Sequence, residues 1–349
     1  MNEIIETRAL RDDCPLPDDA RLAPLRDRVL DAARVDGAGR RPTLRGTGGG
    51  FPRRRIVLTA AATAAVAVTG IVVADLPGGT DIPADGPRLL SARASANALE
   101  LAANTVEQLG ATEPGPKQWV YEKSTSFQHG TPQSAEQWTR WDGTGSASLP
   151  GVPRSGDISD FDPNKLQVWY GPNQEEKWKK EGYDDRSQRQ FYRFLATLPG
   201  DPDRMMRRIR QEHAIGDIEG ETPAQRDWRE IHVLYRSVLI PPKVQAGMFR
   251  ALAKIPGARV EQGVEDPLGR KAIAVTVNYP ERTANGLQGK QEIFFDPETY
   301  AYLGAREEVP PLESITTNGT KMPLPAEADS AIVVARAAWG VVDKPGARP

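Results

Sequence analysis

Apolar residues recur along this chain in three patterns, and their order divides the sequence. Residues 20–34 place Leu22, Leu25, Val29 and Leu30 at helical spacing, with Pro24 in the first turn where its missing N–H costs little. Residues 56–74, IVLTAAATAAVAVTGIVVA, are apolar on every side, 19 residues with no charge and three threonines. At about 1.5 Å rise per residue that length just spans a hydrocarbon core of about 30 Å, whereas a helix buried in a soluble core keeps one polar face. The spacing therefore predicts a short amphipathic helix, then one membrane crossing. A Pro/Gly/Asp-rich stalk over 75–90 leads to a third pattern, a mixed region over 91–349.

That third region reads as α+β. Residues 91–109 carry Leu99, Leu101, Ala102, Val106 and Leu109 on or near one helical face. Residues 118–126 and 135–141 are aromatic-rich and partly alternating, which predicts a hairpin turning near Gly130 and Pro132. Residues 143–165 have loop composition, and 166–170 read as a strand closed by Gly171-Pro172. Helices follow over 190–198, after the cap Asp201-Pro202, after the capping-box spacing of Thr222 and Gln225, and after Pro241-Pro242 as far as Ile255. The tail returns to strands at 259–261, 272–277, 291–295, 301–307 and 331–342, with Asp296-Pro297-Glu298-Thr299 supplying hairpin-turn residues. The run 331–342 is apolar but short and interrupted by Arg336, so it reads as a final strand rather than a second crossing.

Charge around the apolar run sets its direction. Residues 37–55 hold six arginines and no acid, ending in Arg53, Arg54 and Arg55, while Asp75, Asp81 and Asp85 precede the next cation. Arginine beside a crossing helix resists translocation, so 1–55 is expected in the cytoplasm and 75–349 outside a cell membrane. The competing reading is a cleaved export leader, since the run is alanine-rich and follows arginines. A preceding segment of 55 residues is long against the usual signal of about 15 to 30 residues in total, which favours a retained anchor. The single cysteine, Cys14, falls on the inner side, so the outer domain depends on its core for stability.

Composition narrows the chemistry. The net charge of -2, with 12 Arg against 9 acids in residues 1–55, gives no electrostatic arm for a nucleic-acid partner. No phosphate loop, nucleophile elbow or zinc-protease motif occurs, and His129, His213 and His232 stand apart from cysteine and carboxylate pairs, so neither an enzyme nor a metal or cofactor site is expected. His232 sits among core positions and reads as a packing or hydrogen-bonding residue. Arg204, Arg207, Arg208 and Arg210 read as a solvated helix face, and Glu307-Glu308 in a strand point to opposite faces. A zinc-containing anti-sigma domain needs a histidine with two cysteines, and residues 1–55 hold one cysteine and no histidine.

Several segments together carry a resemblance. The inner helix, the Arg53-Arg54-Arg55 approach to an alanine-rich crossing, Trp119-Val120-Tyr121, Leu198-Pro199-Gly200-Asp201-Pro202, Pro241-Pro242 to Ile255-Pro256-Gly257, and Phe295-Asp296-Pro297-Glu298-Thr299 before Tyr302-Leu303-Gly304 resemble an actinobacterial family of uncharacterised single-pass membrane proteins. Members are often encoded beside extracytoplasmic-function sigma factors. The resemblance implies an anti-sigma-like regulator without zinc, its outer domain meeting an unidentified ligand while Leu22, Leu25, Val29 and Leu30 contact a cytoplasmic sigma factor. The strand-helix-strand order of the outer domain is also similar to the half-barrels of lipoprotein carriers. That second likeness implies a lipid or lipoprotein carrier with an apolar cavity lined by Trp119, Trp138, Trp169 and Phe294.

Overall fold

The computed structural model describes residues 86–110, 112–128, 131–150, 162, 164–171, 187–310, 314–317, 320–323 and 331–349. The helix expected over 20–34, the crossing expected over 56–74, the arginines at 53–55 and His129 lie outside the described residues. Among the described residues no helix is long and apolar enough to cross a membrane.

The described part is α+β, built on an open ten-stranded antiparallel sheet with five helices. Strand β1 (Arg88–Leu89), within the segment read as stalk, pairs at one edge with β6 (Arg259–Glu265). From there the sheet runs through β7 (Lys271–Tyr279), β8 (Gly289–Phe295) and β9 (Tyr302–Glu308) as one meander. A second meander, β2 (Trp119–Gln128), β3 (Thr131–Arg140), β4 (Gly145–Leu149) and β5 (Gln167–Tyr170), forms the other half. The last strand, β12 (Ala331–Val342), inserts between β9 and β2 and joins the halves. A small separate hairpin, β10 (Ser314–Thr317) with β11 (Thr320–Pro323), precedes it.

Five helices form where their caps predict. Helix α1 (Ala92–Glu107) is capped by Ser91, α2 (Gln188–Ala196) by a Ser187/Gln190 capping box, and α3 (Pro202–Gln211) by Asp201. Helix α4 (Pro223–Ser237) starts at a reciprocal Thr222/Gln225 box, and α5 (Pro242–Leu252) starts at a proline. Their apolar stripes pack on one face of the sheet, against Val260, Val275, Ile293, Phe295 and Tyr302. Phe249 of α5 meets Phe295 at 4.9 Å between ring centroids, and Tyr235 of α4 meets Phe295 at 5.0 Å. Gly247 lets α3 approach α5, because a Cβ there would lie 2.7 Å from the Met205 sulfur.

The opposite face carries two smaller clusters. Trp119, Tyr121, Trp138, Ala147 and Val342 form one under the C-terminal tail, where Trp138 Nε1 donates to the Ala347 carbonyl at 2.7 Å and Arg348 grips Glu136 at 2.7 and 3.1 Å. Ala272, Ala274, Phe294 and Leu303 form the other.

A second reading from sequence changes besides the stalk residues that form β1. Residues 145–149, read as loop, are strand β4, and small residues are the reason. A Cβ at Gly145 would lie 2.8 Å from the Trp119 ring, so Gly-Ser-Ala-Ser carries little strand propensity by itself and pairs because the indoles occupy the space above it. Gly304 shows a close approach of a different kind, with φ +153° and a Cβ position 2.9 Å from Ala335 Cα on the neighbouring β12. Gly304→Ala is expected to lower unfolding free energy by roughly 1–3 kcal/mol, read as a lower urea midpoint with unchanged slope.

Candidate functional site

The feature that sets the site is a charge in the joining strand. Pairing of β12 with β2 shifts register between Arg336 and Ala338, a bulge that leaves Ala337 unpaired with β2. Arg336 opposes Ser124 on the helix-covered face and is only 9% exposed. Its Nε donates to Glu122 at 3.2 Å, and its Nη2 donates to the carbonyls of Tyr235 at 3.0 Å and Arg236 at 2.9 Å, in the last turn of α4. The guanidinium lies 3.8 Å from the Trp339 ring centroid and 4.8 Å from that of Tyr302. Burial lowers its pKa while Glu122 opposes that shift. Arg270, paired with Asp266, donates to the Arg336 carbonyl at 2.9 Å and the Leu303 carbonyl at 3.1 Å, which supplies partners for the backbone around the bulge.

Two chambers meet at this arginine. The first, about 270 Å³, is largely polar, with Glu122, Ser124, Gln137, Thr139 and Arg236 in its lining. The second, about 350 Å³, includes Val238, Leu239, Ile240, Leu303 and Ala337. Arg336, Tyr302 and Trp339 line both. The rings of Tyr235 and Tyr302 stack with centroids 6.0 Å apart, and each hydroxyl is buried without a hydrogen-bond partner among the described residues. Burial pushes both phenols well above their ordinary value, so each stays a neutral donor. A buried hydroxyl left unpaired costs roughly 1–3 kcal/mol. Neither hydroxyl opens onto a chamber, since both are fully enclosed within the packed wall.

One turn earlier on α4, His232 Nδ1 lies 3.1 Å from Glu307 Oε1 of β9. Burial works to raise the Glu307 carboxyl, but the hydrogen bond and charge of His232, with the charge of Arg236, outweigh it and hold it below the ordinary 4.5. His232 thus takes the hydrogen-bonding role expected for it. Glu308 points the other way and accepts from the Lys290 backbone N–H at 2.8 Å.

The aromatic residues named for a carrier cavity do not converge. Trp119 and Trp138 share the cluster under the C-terminal tail, Phe294 belongs to the other cluster on that face, and Trp169 is 36% exposed on edge strand β5. Arg208 and Arg210 pair with Glu212 at 2.5 Å and Asp227 at 3.2 Å, as ordinary helix-face charges do. Among the described residues no group of three or more His, Cys, Asp or Glu is placed to hold a metal ion. Sequence reasoning passed over Arg336 as a functional residue, although a lone charge inside an apolar run was the available signal. Tyr235 and Tyr302 carried no signal, because tyrosine on an apolar face reads as core.

Arg336→Met leaves Glu122 and two α4 carbonyls without their donor, so it is expected to cost about 3–5 kcal/mol in urea unfolding. Adding Glu122→Met should recover part of that loss, since the stranded carboxylate goes too. Glu307, with a lowered folded-state pKa, contributes stability that is complete above 4.5 and disappears as pH falls through the lowered value. Glu307→Gln should therefore flatten the acid-side fall of the unfolding midpoint, with the wild type converging on the variant at low pH.

No protein-family model matches this chain, and no curated protein matches it in sequence.

Proposed function

We propose that this chain is a membrane-tethered sensor whose outer domain binds a small ligand in the Arg336 cleft and whose inner helix, through Leu22, Leu25, Val29 and Leu30, contacts a sigma factor. The observation that carries the ligand-binding half is a pair of adjoining chambers, of about 270 and 350 Å³, that share Arg336, Tyr302 and Trp339 in their walls. The tethering half rests on the uncharged run 56–74 and the six arginines before it.

Cleft size favours a sensor over a lipoprotein carrier. Small-molecule sites run roughly 300–1,000 Å³, and the apolar chamber of about 350 Å³ suits one compact ligand or one chain rather than several acyl chains. The aromatic contacts among Tyr235, Phe249 and Phe295 fill the neighbouring space between helices and sheet.

The test has two arms in the native host. Full-length protein extracted from membranes should co-purify a sigma factor, and Leu25→Asp with Val29→Asp should abolish capture. Deleting the gene should change the transcripts that sigma factor controls, and Ala301→Trp, which fills the cleft mouth, should fix them at one level whatever the growth condition. No sigma-factor capture with an unchanged transcriptome in the deletion strain would overturn the proposal.

A further inference from the structure

We infer that the sheet face around Glu136 is a peptide-recognition surface for a Gly-Ala-Arg-Pro type segment of a partner protein, and that residues 343–349 of this chain hold it closed until such a segment displaces them. The surface lies across the sheet from the Arg336 cleft, and it does not depend on the ligand reading there.

The way residues 343–349 sit shows what the surface reads. After Val342, the last residue of β12, the chain turns back over β2 and β3. Gly346 makes the turn with φ +82°, and an L side chain there would be strained and would meet Leu166 Cδ2 at 3.0 Å. Ala347 packs on the cluster of Trp119, Tyr121 and Trp138, and its carbonyl accepts from Trp138 Nε1 at 2.7 Å. Arg348 lays its guanidinium fork on both Glu136 oxygens, at 2.7 and 3.1 Å, the bidentate geometry that lysine cannot reproduce. Pro349 sits against Gly340 of β12, where a Cβ would collide with its ring. Glycine, methyl, guanidinium and proline ring are each met by a separate feature, and the indole N–H reads the main chain between them.

The buried groups belong to the surface rather than to the segment. Glu136 is only 9% exposed, with the Tyr121 hydroxyl donating to it at 2.8 Å and Lys123 at 3.8 Å. A carboxylate taken that far out of water costs stability unless a cation meets it. Arg348 meets it from outside, with a side chain 55% exposed, and Asp343, Lys344, Gly346 and Pro349 are exposed as well. Among the described residues, the only further side-chain hydrogen bond to the segment is from Gln118 Nε2 to Asp343 at 2.9 Å. Ion pairs with so exposed a partner contribute little, so the segment can leave without opening the helix-covered core. A pocket of about 290 Å³ also opens beside Glu136, between Lys123, Ser134, Leu149 and Pro150, and residues 343–349 take no part in lining it. A partner segment that repeats the four contacts and reaches this pocket gains what the chain's own segment lacks. A second copy of residues 343–349 would bring only the contacts already made.

The experiment follows the anisotropy of a fluorescein-labelled Lys-Pro-Gly-Ala-Arg-Pro peptide with the full chain in lipid nanodiscs, empty nanodiscs being subtracted. Saturable one-to-one binding is expected, at least about 10-fold tighter to Arg348→Ser than to the wild type, whose own segment competes at an effective concentration on the order of 1 mM. Arg348→Ser changes one exposed side chain and keeps the chain length, and a chain ending at Val342 should bind at least as tightly. Adding Glu136→Gln to Arg348→Ser should weaken binding about 10-fold or more. In the peptide, L-alanine for glycine should weaken binding about 10-fold, whereas D-alanine, for which positive φ is unstrained, should leave it within about 2-fold. Equal affinity for wild type and Arg348→Ser would place the peptide elsewhere and overturn the inference, as would indifference to Glu136→Gln or to the hand of the alanine. No saturable binding to the wild type up to about 10 mM, well above the effective concentration of a short tether, would make residues 343–349 a fixed part of the fold and overturn it too. A detergent-extracted wild type that is dimeric and becomes monomeric on adding peptide would give the surface to a second copy and overturn the partner assignment.

Discussion

A guanidinium buried in the strand that joins two half-sheets is the constraint on which the rest of this domain depends. Taking Arg336 out of water costs several kcal/mol, and the fold offsets that cost with one carboxylate, two helix carbonyls and two aromatic faces rather than with an ion pair alone. Those partners come from β2, α4, β9 and β12. Removing the charge would relax all four together, because each has adapted to it: β12 bulges to place it, α4 ends with free carbonyls aimed at it, and the Arg270–Asp266 pair braces the backbone behind it. The cleft is what remains after these elements are held apart by a side chain larger than the small apolar residues around it in the strand.

The position of β12 explains why this strand carries the site. Each meander forms from near neighbours in sequence, whereas β12 must find β2 and β9 across long separations, with register Trp339 to Glu122 and Val334 to Ala305. A strand paired on both sides and apolar on both faces has weak register by pattern alone. A buried arginine with fixed partners specifies one register, since a slip of one residue would turn it to the opposite face. Specificity of pairing and construction of the cleft are two results of the same residue.

How much of this was legible in the sequence follows from the range of the interactions. Helices α1 and α2 were readable from helical spacing, which records the covered face, and α3 to α5 also from Asp201, Thr222 and the Pro241-Pro242 pair, which act on the next turn of chain; the caps Ser91 and Ser187 were not read. The turn at Asp296 was readable for the same reason, its carboxylate accepting from the Glu298 and Thr299 backbones. Strand β4 was not, because its pairing depends on the distant ring of Trp119. The aromatic residues were visible, but not their face: Trp119 and Trp138 alternate away from the helices while Val120 and Glu122, beside them in β2, line the cleft. Period-two alternation fixes which residues share a face and leaves open which face the helices will cover.

The proposed ligand would act on the same tether. A ligand arriving at Arg336 would share that guanidinium with Glu122 and with the end of α4, so occupancy and helix position draw on one set of donors. Binding can shift a conformational equilibrium only through contacts that differ between two states, and the hold of Arg336 on the last turn of α4 is the contact that such a ligand would compete for. That turn carries Tyr235 and Arg236 and sits one turn from the His232–Glu307 pair that fixes the helix to β9. With His232–Glu307 as a second anchor, loosening the C-terminal end would pivot α4 rather than release it. The pivot would be transmitted through the aromatic contacts of Tyr235 with Phe249 into α5, and from there to α1, which packs on α5. A binding event at the joining strand thus has a packed route through α4 and α5 to α1, without any motion of the sheet itself.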